Sequence, residues 1–118
     1  MDKLRSPATD ALFEAILSLE TVDECYRFFE DACTIKEILD ISQRFEVAGL
    51  LSEKKNYQEI SKETGASTAT ISRVGKCLSY GSDGYKLVLD RLEEKRKIKY
   101  KILTATAVRI FVYFLIEI

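Results

Sequence analysis

The sequence contains no histidine and no tryptophan, and its 118 residues include one proline and five glycines. The absence of histidine removes the usual serine and cysteine catalytic arrangements and the commonest metal ligand. The three cysteines, at positions 25, 33 and 77, form no CxxC pair, so the sequence indicates neither a zinc site nor a redox dithiol. A phosphate-binding loop and paired carboxylates in an apolar setting are also missing, and we therefore expect no enzyme.

We also expect no apolar signal peptide, because the chain opens on an amphipathic stretch. With an odd number of cysteines, this favours a reducing, cytoplasmic location. The longest apolar run covers residues 102–116 and is interrupted by Arg109. It is shorter than the roughly 20 apolar residues that cross a membrane, so no membrane partner is expected. Strand, packed helix and aggregation-prone segment remain open for this run.

The net charge of −1 conceals two halves of opposite sign. Residues 1–40 carry ten acidic and four basic side chains, whereas residues 54–101 carry twelve basic and six acidic ones. A basic half opposite an acidic half indicates a face that meets a polyanion such as nucleic acid. The alternative is that charge lies unevenly over a solvated surface.

Repeated helix-start signals and sparse glycine predict an all-α chain. Thr21 with Glu24, Thr34 with Glu37 and Asn56 with Glu59 each match a capping box, in which the two side chains bond the helix's first free N–H groups. We predict helix starts at Ser6, Thr21, Thr34, Asn56 and Ser67 or Thr68, and a last helix from Tyr85 to about Lys97.

Residues 57–76 fit a helix-turn-helix position by position. The ninth residue is Gly65, where the turn needs a positive φ that glycine adopts cheaply. The fifth is Ser61, which is small enough for the second helix to cross close by. The positions that pack the two helices together are apolar, apart from the partly apolar Thr64: Ile60, Ala66, Ile71 and Val74.

The outward positions of the second helix carry short hydrogen-bonding or methyl-bearing side chains and cations, as insertion into a DNA major groove requires. We predict that double-stranded DNA is the partner. Bases are expected to be read by Thr68, Ala69, Ser72 and Arg73. Backbone contacts are expected from Ser67, Thr70, Lys62, Lys76 and Tyr57, and Gln58 is also expected to bind DNA. Packing is an open alternative for Tyr57, and a merely solvated helix face is the alternative for the lysines.

The segments GASTATISRV, YGSDGYKLVLDRL and ECYRFFEDACTIKEILDISQRFEVAGLL together resemble the Trp repressor superfamily, and are most similar to its YerC/YecD-type branch. The resemblance covers about residues 8–95. It implies an all-helical bundle that forms an intertwined homodimer, with one helix-turn-helix from each subunit in successive major grooves. The single domain then divides into N-terminal dimerisation helices (1–53), the helix-turn-helix (54–80), a C-terminal helix (81–97) and an apolar tail of unknown role (98–118).

The resemblance also implies a ligand pocket, since the best-known member of the family senses tryptophan. Thr34 matches the threonine of that pocket, Arg73 matches one arginine, and Arg44 matches the second if one residue is deleted between it and the helix-turn-helix. Val74 stands where the tryptophan sensor has glycine, and we expect it to narrow the cleft. No cofactor is expected, and tryptophan or another small effector is left open. A surface ion pair with Asp40 is the alternative for Arg44.

These patterns predict a sequence-specific transcriptional regulator that binds a palindromic operator as a homodimer. The alternative is an adaptor that uses the helix-turn-helix to bind protein without DNA.

Overall fold

The computed structural model describes residues 3–117, and all regular secondary structure in this range is helical. The helices are α1 (Pro7–Leu17), α2 (Val22–Ala32), α3 (Ile35–Ser52), α4 (Tyr57–Thr64), α5 (Thr68–Tyr80) and α6 (Gly84–Glu117). The all-α prediction is thereby confirmed. The chain divides into two compact units with their boundary between Ser42 and Gln43, inside α3.

The predicted capping residues begin five of the helices. Ser6, Thr21, Thr34, Asn56 and Ser67 each accept a hydrogen bond from the backbone N–H three residues later, at 2.9–3.2 Å. Ser67, and not Thr68, is therefore the cap of α5. Glu37 and Glu59 return the bond to the N–H of their capping residues, whereas Glu24 accepts from Glu20, one residue further back.

The cap of α3 also lowers the pKa of a carboxyl group. Hydrogen bonds from the backbone and the side chain of Thr34 hold the pKa of the Glu37 carboxyl below its ordinary value. The stabilisation that this carboxylate gives to the helix start is present above its ordinary pKa. It is lost as the pH falls through the lowered one.

The first unit leaves much of its apolar surface uncovered within the single chain. Neither α1 nor α2 contains a buried residue, and the large side chains Leu17 and Val22 are 82% and 74% exposed. Phe28 and Phe29 pack edge to face on each other, with ring centroids 5.3 Å apart. Exposed apolar surface on this scale is typical of a region that another chain covers.

The second unit holds a compact core. Its buried residues are Val47 and Ala48 from α3, Ile60 from α4, Ala66 from the turn, and Ile71 and Val74 from α5. Leu50, Leu51, Leu78, Tyr85 and Leu89 pack around them, half-buried. The helices α4 and α5 therefore pack against the C-terminal part of α3.

The last helix does not end near Lys97 as predicted. α6 continues to Glu117, so the apolar run at residues 102–116 is helical and the strand alternative is wrong. Residues 102–116 are all exposed, so a helix packed against the rest of the described chain is also ruled out for this run. None of the helices in the described range is both long and apolar enough to cross a membrane.

Candidate nucleic-acid interface

The turn between α4 and α5 is fixed by its backbone and by two hydroxyl groups. Gly65 adopts the left-handed conformation (φ 74°, ψ 3°), and its N–H donates to the Ser61 carbonyl at 2.8 Å. The Ser61 hydroxyl donates to the Ala66 carbonyl at 3.0 Å, and the Thr64 hydroxyl accepts from the Ala66 N–H at 3.1 Å. Sequence reasoning assigned Ser61 a steric role and missed that both hydroxyls tie down the turn.

Replacing Gly65 by alanine is expected to lower the free energy of unfolding by about 1–2 kcal/mol, because a Cβ is disfavoured at positive φ. Gly84→Ala is the matched control. A Cβ at either position meets no atom within 4 Å, but only Gly65 has a positive φ. Urea denaturation of both variants distinguishes the effect of backbone conformation on stability from the effect of steric crowding. Equal stabilities of the two variants would contradict the role assigned to Gly65.

A further contact joins the turn to α3. The Gln43 side-chain amide donates to the Thr64 carbonyl at 3.2 Å, across 21 residues of sequence. Sequence reasoning did not identify Gln43, since no local pattern distinguishes a glutamine that bonds a distant turn from a solvated one. The bond satisfies a carbonyl at the end of α4, which has no partner within its own helix.

The orientation of α5 follows from its buried side. Ile71 and Val74 are 0% and 1% exposed, so the opposite side of the helix faces outward. That side exposes Thr68, Ala69, Arg73 and Lys76, four of the residues predicted to bind DNA. Ser72, also predicted to read bases, is half-buried at the edge of this surface. The helix thus presents short side chains and cations outward, and its bulky aliphatic residues inward.

Residues of α4 lie beside the start of α5. Tyr57, Gln58, Ser61 and Lys62 line one shallow groove of about 370 Å³ together with Thr68. The structure therefore brings three predicted DNA-binding residues of α4 next to a predicted base reader of α5. Tyr57 also packs on α5, because its hydroxyl lies 3.4 Å from the position that a Cβ of Gly75 would occupy.

The hydroxyls of Ser67 and Thr70 already have partners. Their oxygens are 3.1 Å apart, and the Ser67 oxygen also accepts from the Thr70 N–H. Ser67 is exposed and Thr70 half-buried. A phosphate contact from either hydroxyl would have to be compatible with the cap of α5.

The cations of this surface have different surroundings. Lys55 pairs with Glu63 at 3.6 Å. Lys62, Arg73 and Lys76 have no carboxylate within ion-pair distance among the described residues. These three side chains are exposed and available to an anionic partner.

The residues predicted to hold a ligand have structural roles of their own. The Thr34 hydroxyl caps α3, and Val74 lies in the core, as its predicted packing position implies. Asp40 pairs with Lys36 at 2.7 Å, and not with Arg44. Arg44 is half-buried and Arg73 exposed. Thr34 belongs to the first unit and the two arginines to the second, and their common site stays a prediction.

Taken together, the capped turn, the α3–α5 core and the exposed cationic side of α5 define a helix-turn-helix protein. The family model of the Trp repressor protein matches residues 8–93, and the chain belongs to this family. It is 57% identical over 94 residues to the uncharacterised protein YerC of Bacillus subtilis, a match that covers 80% of this chain and 90% of that protein.

Two solved structures share the fold. A TrpR-like protein from Eubacterium eligens superposes with a TM-score of 0.77 at 58% identity, covering 79% of this chain and 96% of its own. A candidate Trp repressor from Staphylococcus aureus gives a TM-score of 0.76 at 51% identity, covering 78% and 92%. The resemblance predicted from the sequence is confirmed, and the family match ends before the apolar tail.

Proposed function

We propose that the protein is a cytoplasmic, sequence-specific DNA-binding transcriptional regulator. The observation that carries the proposal is the outward side of α5, which combines short side chains with the cations Arg73 and Lys76. Neither cation has an ion-pair partner among the described residues. Short side chains let the helix backbone approach the base edges, and an arginine on the same side can reach a guanine or a phosphate. The core formed by Ile60, Ala66, Ile71 and Val74 holds that side in place.

We further propose that the chain acts as a homodimer. The first unit has no buried residue in α1 or α2 and exposes large apolar side chains, which a second copy would cover. The family supports an arrangement with two-fold symmetry. A symmetric dimer binds a palindromic operator with half-sites one helical turn apart, about 34 Å.

No cofactor is part of the proposal. A small effector, with tryptophan as one candidate, would act through Thr34, Arg44 and Arg73. The exposure of Arg73 on α5 supports this part, because a ligand that contacted it would act directly on a base-reading residue.

The test is selection of genomic DNA fragments by the purified full chain, beside Arg73→Ala and the matched control Arg91→Ala. Arg91 is an exposed arginine of α6, outside the helix-turn-helix. We expect the wild type and Arg91→Ala to recover a few palindromic sites. Arg73→Ala should bind them more weakly by about 1–3 kcal/mol per lost base contact. Repeating the selection with tryptophan tests the effector.

Recovery of random fragments, equally by all three proteins, would contradict sequence-specific binding. Recovery of no DNA with and without tryptophan would favour the adaptor function, in which the same surface binds protein.

A further inference from the structure

We propose that the C-terminal part of α6 binds the surface of an anionic lipid bilayer. Two adjoining segments carry this inference: the basic segment, residues 95–101, and the apolar tail, residues 102–116. The proposal does not depend on DNA binding, and it revises the sequence-based expectation that no membrane takes part.

The apolar tail is apolar on all sides of the helix. Its large side chains are exposed all round, including Phe111 at 64% and Phe114 at 60%, and its only charged residue is Arg109. A helix of this kind needs an apolar environment on every side. A single partner helix covers one side only, whereas a lipid phase surrounds the helix.

A second copy of the tail would leave much of this surface exposed. One side of α6 forms a shallow apolar groove lined by Tyr100, Leu103, Thr104, Ala107, Val108 and Phe111. Helix pairing along this groove would not cover Ile110, Val112 or Ile116, which are exposed on other sides. Lipid is therefore the occupant that accounts for the whole exposed surface.

The basic segment lies directly before the apolar tail. Five of its seven residues are cations: Lys95, Arg96, Lys97, Lys99 and Lys101. Arg96 pairs with Glu93 at 3.1 Å, and the four lysines have no ion-pair partner among residues 3–117. Clustered cations beside an apolar helix are attracted to anionic lipid headgroups.

The dimensions limit how the tail enters the bilayer. Fifteen residues of α-helix are about 22 Å long, and the hydrocarbon core of a bilayer is about 30 Å thick. The tail therefore enters from one side without crossing. Tyr100 is exposed among the lysines of the basic segment, and tyrosine is enriched at the level of the headgroups.

Vesicle flotation with the full chain tests the proposal. Vesicles of phosphatidylcholine alone are compared with vesicles that also contain phosphatidylserine. We expect flotation with the anionic vesicles, at least about tenfold stronger than with the neutral ones and weaker at high salt. A chain ended before Ile98 should not float, and it retains every residue matched by the family model.

Two variants separate the apolar from the electrostatic contribution. Phe111→Glu with Phe114→Glu should abolish flotation, because it places carboxylates in the apolar tail. Lys99→Gln should reduce partitioning about fivefold. Its control, Lys36→Gln in the acidic first unit, should leave partitioning unchanged. All replaced side chains lie outside the core, so thermal unfolding should be unchanged.

Equal flotation with neutral and anionic vesicles would overturn the role of the basic segment. A full chain that stays unbound and forms a discrete oligomer larger than that of the chain ended before Ile98, measured by light scattering, would assign the apolar tail to self-association. Aggregates that vesicles do not disperse would also overturn the proposal. DNA binding by the chain ended before Ile98 is measured separately, and its outcome does not bear on this test.

Discussion

Ile71→Ala is expected to lower the free energy of unfolding by about 3 kcal/mol. Ile71 is 0% exposed and lies in the core that joins α3, α4 and α5. Removing three carbons from this position loses buried apolar surface and leaves a cavity, because neighbours held by helix geometry relax only partly. The orientation of α5 depends on the same contacts, so DNA affinity should fall together with stability.

Urea denaturation at one fixed chain concentration measures this effect, since the stability of the proposed dimer depends on concentration. The matched control is Ile110→Ala, the same substitution at a position that is 53% exposed on α6. Its effect should stay within about 0.5 kcal/mol. Similar losses for the two variants would show that Ile71 is not a core residue.

DNA affinity is expected to fall about thousandfold when the salt concentration rises from about 50 to about 200 mM. This expectation rests on the proposed function. On the helix-turn-helix, each chain offers three exposed cations that have no ion-pair partner within residues 3–117, namely Lys62, Arg73 and Lys76. The proposed dimer therefore offers six. Each phosphate contact releases condensed counterions, so the logarithm of the affinity falls steeply with the logarithm of the salt concentration.

Lys62→Gln should lower the salt slope by about two units, one for each chain of the dimer. Lys36→Gln is the control, since Lys36 lies in the acidic first unit and already pairs with Asp40. Binding titrations at several salt concentrations give both slopes. If Lys62→Gln leaves the salt slope unchanged, Lys62 is merely solvated, and the groove beside Thr68 does not contact the DNA phosphates.

The helix-turn-helix could be predicted closely because its determinants are local. Asn56 and Ser67 cap helices through hydrogen bonds that span three residues. Gly65 occupies a position where the backbone has a positive φ. The four apolar packing positions follow from helix periodicity, and all four are buried. Short-range signals of this kind do not need a tertiary structure to be recognised.

Other features depend on contacts between distant residues, or on the balance between strand and helix propensity, and a sequence pattern shows neither. The bond from Gln43 to Thr64 spans 21 residues. In the tail, β-branched and aromatic residues favour a strand locally, but no glycine or proline after Gly84 ends α6, and the helix continues. The common site of Thr34, Arg44 and Arg73 was predicted from family resemblance alone and stays a prediction.

The uninterrupted course of α6 has a mechanical consequence. Its first turns pack on the core through Tyr85 and Leu89, and its 34 residues extend for about 50 Å. A helix without a glycine or proline hinge transmits force and orientation along its length. A partner that bound the C-terminal end of α6 would therefore fix both the distance and the tilt of the helix-turn-helix relative to that partner.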